Sequence, residues 1–260
     1  MSIVFDRAVE YYDRTRALSQ REQERVIDSL IEYGELKADS RILELGVGTG
    51  RIALPLAARG FRIAGVDLSL PMMAALWAKQ PDRVRIDLAR ADATRLPFPS
   101  DTFDIVYAVH VLHLVAGWPE AIAEAIRVLK PAGRFLVNWQ RRTSSAPNVN
   151  IHDELGRLAR AHGVDTRRPG AQSEEEIMVE LERLGVTAQK VNVIQYAQAK
   201  SCRELLDDID RQIHSETWAI PRNVLDALLP DLEQFAIHKF GSLDQPVESE
   251  INFGWIVARK

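Results

Sequence analysis

The 260-residue chain has little of what marks a secreted, membrane-spanning or nucleic-acid-binding protein. Its 1 cysteine, Cys202, excludes an intrachain disulfide framework and suits a reducing compartment. No apolar run approaches the roughly 20 residues of a membrane-spanning helix. The opening Met1-Ser-Ile-Val-Phe-Asp-Arg has no basic stretch followed by an apolar core, so no secretory signal is read there. Positive charge is not in excess: 33 Lys and Arg against 37 Asp and Glu leave a net charge of −4, no general footprint for nucleic acid. Histidines number 6, and the two that lie close, His110 and His113, have no third ligand beside them, so no metal site is expected. The absences together point to a cytoplasmic protein. What is present, 46% hydrophobic and 27% charged residues, is enough for one large domain with a sizeable core.

The chain is organised around Arg41-Ile-Leu-Glu-Leu-Gly-Val-Gly-Thr-Gly50. Ile42, Leu43 and Leu45 form an apolar run of strand length, and Gly46, Gly48 and Gly50 follow at alternate positions. Without a Cβ the backbone can turn sharply there and approach a ligand closely. A helical pattern then runs through Ile52, Leu54, Leu56 and Ala57 to Gly60, with Pro55 requiring a late start or a bend. Strand, glycine turn and helix make the first unit of an open α/β sheet, whose ligands bind at that turn. Asp67 closes the next apolar run, Ile63 to Val66, at about the distance where such folds place an acidic residue on a ribose. The dinucleotide fingerprint requires a glycine at its sixth position, where this chain has Arg51.

The ordered set Glu44-x-Gly46-x-Gly48-x-Gly50, Val66-Asp-Leu-Ser69 and Arg90-Ala-Asp92-Ala93 resembles the class I S-adenosylmethionine-dependent methyltransferases, in particular the small-molecule branch with the quinone C-methyltransferases. The resemblance runs from about Tyr11 to Trp139. It implies a Rossmann-like, seven-stranded, mostly parallel sheet with helices on both faces. It also implies S-adenosyl-L-methionine as cofactor, S-adenosyl-L-homocysteine as product, and no metal. By the same resemblance the three glycines pass beneath the methionine and ribose, and Glu44 lies near the amino group or orders the loop. Asp67 receives the ribose hydroxyls, Leu68 and Met72 flank the adenine, and Asp92 with the Ala93 amide meets its edge. Tyr12 sits in an amino-terminal helix folded over the cofactor, and Val109 ends the strand that faces it. Methylation of a small-molecule oxygen or carbon is the expected activity. A nicotinamide-dependent oxidoreductase and a non-catalytic cofactor-binding or scaffold protein are the alternatives.

The remaining elements can be placed around that core. Residues 1–35 supply amino-terminal lid helices, the second opened by a Ser19/Glu22 capping box and ended at Gly34. Residues 36–140 form the cofactor-binding core. Ser69 and Pro71 open a helix whose apolar side holds Met72, Met73, Leu76 and Trp77. A strand lies near Val84–Leu88 and another over Ile105–Val109. Pro119 starts a helix that Lys130-Pro131-Ala132-Gly133 stops, as the family's Lys-Pro-Gly-Gly turn does, before a strand to Trp139. Arg141 to Asn150 reads as a loop, and residues 141–240 as a helical cap with one core strand near Val191–Tyr196. Residues 241–260 close a single domain as an edge strand, in a monomer or homodimer.

Methyl transfer from a sulfonium is an in-line displacement in which the cofactor carries the activated group. Placement does much of the protein's work, and a missing catalytic triad is no objection. His110 and His113 follow the fourth strand, at the carboxyl edge where the transferred methyl would lie. Either could serve as a base near neutral pH, or hydrogen-bond a loop. The Asn/Asp-Pro-Pro-Tyr/Phe sequence used on exocyclic amines of bases is missing from that strand end.

Overall fold

The computed structural model describes residues 2–142 and 145–260. Where one domain with an inserted cap was expected, the chain divides into two compact units. The first comprises Met1–Trp139, Pro169–Ile194 and Phe253–Lys260, and the second Gln140–Arg168 and Gln195–Asn252.

The strands are β1 (Arg41–Leu45), β2 (Arg62–Asp67), β3 (Ile86–Arg90), β4 (Phe103–Ala108), β5 (Leu129–Arg142), β6 (Thr187–Lys200) and β7 (Val247–Arg259). They form one seven-stranded sheet in the order β3-β2-β1-β4-β5-β7-β6. The pairings of β1 with β2 and β4, of β2 with β3, and of β4 with β5 are parallel. A parallel sheet covered on both faces needs continuous apolar strands, and β1 supplies one. Leu43 and Leu45 join the core on one face, while Ile42 joins Ile63 and Ile105 on the other.

The carboxyl-terminal strand is not at the edge. β7 lies between β5 and β6, and Lys260 exchanges backbone hydrogen bonds with Ala132 and Gly133. The reason is burial: Phe253, Trp255, Ile256 and Val257 are all inside the core. β6 takes the edge instead, its residues exposed at most positions.

The helices of the first unit are α1 (Tyr12–Thr15), α2 (Gln20–Gly34), α3 (Ala53–Ala58), α4 (Leu70–Lys79) and α5 (Trp118–Val128). α2 has the expected capping box, but its left-handed cap is Glu35 rather than Gly34. Gly34 serves close packing, since a Cβ there would lie 2.6 Å from the Ile105 side chain. α3 begins at Ala53, which leaves Pro55 in the first turn where no amide is needed. On α4, Met72, Met73 and Leu76 are buried as expected, while Trp77 is 60% exposed. Ala132 holds the left-handed turn after α5, with φ of 63°.

The expected cap is narrower than residues 141–240. α7 (Glu174–Arg183), which follows α6 in the chain, belongs to the first unit: Ile177, Leu181 and Val186 pack with Ile122 and Ala125 of α5. The second unit is built from α6 (Pro147–Ala161), α8 (Cys202–Asp210) and α9 (Arg222–Phe240). Its core joins Ile151 and Leu155 of α6, Leu205 and Ile209 of α8, and Leu225, Leu228 and Leu232 of α9. Pro230 lies inside α9 without ending it. Of the expected loop from Arg141 to Asn150, Arg141 and Arg142 close β5 and Pro147 opens α6; Thr143 and Ser144 lie outside the described residues.

Candidate active site

A cleft of about 690 Å³, counted to its mouth, opens within the first unit where β1, β2 and β4 end. Parallel register brings the strand ends level, pairing Leu45 with Val66 and with Ala108. Every loop leaving them therefore reaches the same edge.

The glycine loop enters from β1. Its three glycines do different work. Gly46 and Gly48 line the cleft with φ of 66° and 52°. A Cβ on Gly46 would lie 2.2 Å from Val111, so the loop and the segment after β4 can only meet at glycine. At Gly48 a Cβ would meet only the Gly46 carbonyl oxygen at 3.9 Å, which leaves the space beside it open for a ligand. Gly50 is absent from the cleft wall and packs tightly on Leu76 and Leu54.

Asp67 is anchored opposite. One carboxylate oxygen accepts from the Gly48 amide at 2.8 Å and the other from the Ser69 amide at 2.8 Å. Burial raises its pKa, and the amides of Ser69, Gly48 and Leu68 draw it back down. Leu68, Met72, Asp92 and Ala93 line the same cleft. Asp92 is fixed by accepting from the Thr94 amide and hydroxyl, both at 2.9 Å. Val109 and His110 complete the wall from β4. His110 adopts φ of 56°, a turn that histidine tolerates better than most residues, as β4 ends.

Glu44 is not on the wall. It is fully inside the sheet, and Tyr107, its register partner on β4, donates its hydroxyl to Glu44 at 2.8 Å. Burial pushes the Glu44 carboxyl up to about 8. The backbone amide of Ala53 also donates to it, which ties Glu44 to the start of α3. His113 too is away from the cleft wall, in a 3-10 turn over Leu112–Leu114 whose His113 carbonyl accepts from the Gly170 amide.

The amino-terminal segment contributes more than its sequence suggests. Tyr12 lines the cleft, and burial raises its phenol pKa. Ser2, Ile3 and Phe5 line it as well. The segment is held by Ile3 donating to the Leu114 carbonyl at 3.0 Å and by Ser69 donating to Asp6 at 2.6 Å. Asp13 accepts from Thr49 of the glycine loop and from Lys79 of α4. Burial alone would raise the Asp13 carboxyl, but these hydrogen bonds outweigh it and lower it. Val111, Leu114 and Val115 are the other wall residues that carry no motif. Their only signal in the sequence is the apolar company of the candidate histidines, Val111 between them and Leu114 and Val115 after His113.

A mostly parallel sheet in this order, with a glycine loop at its first strand and a carboxylate on its second, defines a Rossmann-like fold. Residues 43–137 match the methyltransferase domain family. A demethylmenaquinone methyltransferase of Thermus thermophilus is 38% identical over 120 residues, covering 45% of this chain and 53% of that protein. A 27-O-demethylrifamycin SV methyltransferase of Amycolatopsis mediterranei is 33% identical over 131 residues, covering 48% and 47%. The chain thus spans about half the length of these curated relatives. The YcgJ protein of Bacillus subtilis shares the fold with a TM-score of 0.62 at 21% identity, over 91% of this chain and 98% of that one. No described helix is long and apolar enough to cross a membrane.

Proposed function

We propose that this chain transfers a methyl group from S-adenosylmethionine to an oxygen or carbon of a small-molecule acceptor. The observation that carries the reading is the convergence of Gly46, Gly48, Asp67, Leu68, Met72, Asp92 and Ala93 on one cleft. The residues fit the cofactor: an open space beside Gly48, a carboxylate fixed for hydroxyl donors, and an apolar slot between Leu68, Met72 and Ala93. When bound, the cofactor supplies the activated methyl. Asp67 would accept from the ribose hydroxyls, Asp92 and the Ala93 amide would hold the base, and Tyr12 would cover the methionine end. Glu44 and Gly50 would act through the shape of the loop rather than by contact.

His110 would remove the acceptor's proton, since of the two candidate histidines it alone lines the cleft. A general base positioned this way contributes about 10²–10⁴ in rate. The relatives named for demethylmenaquinone and for 27-O-demethylrifamycin SV support a small-molecule acceptor, and Ile3, Phe5, Val111 and Leu114 on the wall support one of low polarity. The lone cysteine supports a cytoplasmic location. The test is incubation with methyl-labelled S-adenosylmethionine and a panel of demethylmenaquinones and demethylated polyketides. Label in an O- or C-methyl product is expected. Tight S-adenosylhomocysteine binding without label in any product would favour a non-catalytic binding protein, and NAD binding in its place would favour the oxidoreductase.

A further inference from the structure

Glu44 and Tyr107 form a buried acid pair at the centre of the sheet that the proposed transfer does not use. Glu44 is 3% exposed and Tyr107 0%. Their hydrogen bond of 2.8 Å joins two adjacent parallel strands, and Glu44 stands two residues before Gly46 on the cleft wall. Four titratable or charged groups face Glu44: Tyr107 from β4, Arg51 from the loop before α3, Asp67 from the end of β2, and Tyr12 from α1. Among the described residues none makes an ion pair with it; its partners are a phenol and a backbone amide.

A carboxyl buried without a cation favours its neutral form, and a cation brought near restores the ionised form. S-adenosylmethionine carries a permanent positive charge on sulfur that S-adenosylhomocysteine lacks. Resting on the methyltransferase reading, we propose that the Glu44–Tyr107 pair is a charge sensor that makes the site's preference for the sulfonium cofactor over its thioether product depend on pH. With the cation bound, Glu44 releases its proton to solvent and Tyr107 donates to the carboxylate. After transfer the sulfur is neutral, Glu44 takes a proton back from solvent, and the affinity for the spent cofactor no longer gains from the carboxylate's charge. Burial holds Glu44 near 8, which places the change within reach of neutral pH.

Titration calorimetry of the full chain with each nucleoside between pH 6 and pH 9.5 tests this. If Glu44 holds its proton about tenfold more tightly in the thioether complex than in the sulfonium complex, linkage makes the affinity ratio rise about tenfold across that range, in favour of S-adenosylmethionine. Glu44→Gln keeps the shape and should flatten the rise, which separates Glu44 from the amino group of the ligands. Tyr107→Phe removes a donor to the carboxylate and should move the rise to higher pH. A flat ratio in the wild type overturns the proposal. So does a rise that survives Glu44→Gln, or one whose midpoint Tyr107→Phe leaves unmoved. If neither nucleoside binds at any pH, the methyltransferase reading falls first, and the sensor falls with it.

Discussion

Each unit sets a glutamate among its packed elements, Glu44 buried and Glu216 part-exposed, and the two are treated in opposite ways. Glu44 of the first unit meets a phenol and a backbone amide, and burial lifts it to about 8. Burial would also raise Glu216 of the second unit, but His152 and Arg168 beside it outweigh that and hold it at about 2. Burial lowers His152 itself, so the imidazole's share belongs to acid pH and Arg168 supplies the charge at neutral pH. His152 Nδ1 stands 3.4 Å from the Glu216 carboxylate, and His214 Nε2 stands 3.7 Å from Asp208. The second unit closes its polar groups on one another, around a helical core. The first leaves backbone amides and carboxylates turned towards an open cleft. The contrast is between a carboxyl group set against cationic side chains and one set behind an open cleft.

The sharpest way to break that contrast is Gly48→Val. It places a β-branched side chain at positive φ in the open space of the cleft. S-adenosylhomocysteine binding should fall below detection by calorimetry while the helical circular dichroism stays near wild type. Normal binding would put the ligand elsewhere. The matching change in the second unit is Leu225→Ala, at a fully buried position of the helical core. It should cost about 2–5 kcal/mol in urea unfolding; a loss under about 1 kcal/mol would mean that the core there is loosely packed.

The two glutamates should respond to pH with opposite sign, at about 1.4 kcal/mol for each tenfold change in proton affinity on folding. Glu44 has a folded pKa above its unfolded value, so its contribution is full below 4.5 and is lost as pH rises through about 8. Glu44→Gln should therefore gain stability over wild type as pH rises through that window, by up to a few kcal/mol. Glu216 has a depressed pKa, so its contribution is present above 4.5 and is lost as pH falls towards about 2. Glu216→Gln should be less stable than wild type at pH 7 and converge with it in acid. Unfolding curves of both variants at a series of pH values would show whether the two slopes cross as stated.

Asp67→Ala removes a carboxylate set to receive hydroxyl donors. A charge-assisted hydrogen bond is worth roughly 1.5–3 kcal/mol, so S-adenosylhomocysteine affinity should drop about ten- to a hundredfold. Wild-type affinity for the variant would remove Asp67 from the proposed site. The smallest effect belongs to Ala132, which holds φ of 63° where glycine is at ease. Ala132→Gly should raise stability by up to about 1 kcal/mol, read as a higher melting temperature with unchanged nucleoside affinity.

The sequence by itself determined the parts of this protein that rest on backbone constraint. The order of strand, glycine turn and helix, the carboxylate after the second strand and the capping box at Ser19 were all legible, because a turn at positive φ or a helix start admits few residue types. Tertiary structure alone decided the rest. β7 enters between β5 and β6 because its run from Phe253 to Val257 needs cover on both faces, while an apolar pattern read singly fits edge and centre alike. His110 and His113 share one chemistry three residues apart; the strand end favours His110 as the base, and the turn at His110 puts it on the wall. Ser2, Ile3 and Phe5 carry no motif; they reach the cleft because hydrogen bonds to Leu114 and Ser69, distant in sequence, fasten their segment there. Glu44 reads in the sequence either as a neighbour of a ligand's amino group or as an anchor of the loop, and it is its register partner Tyr107 that sets it within the sheet. Local conformation is written in the residues that adopt it. A contact between distant segments depends on both partners, and neither one spells out the other.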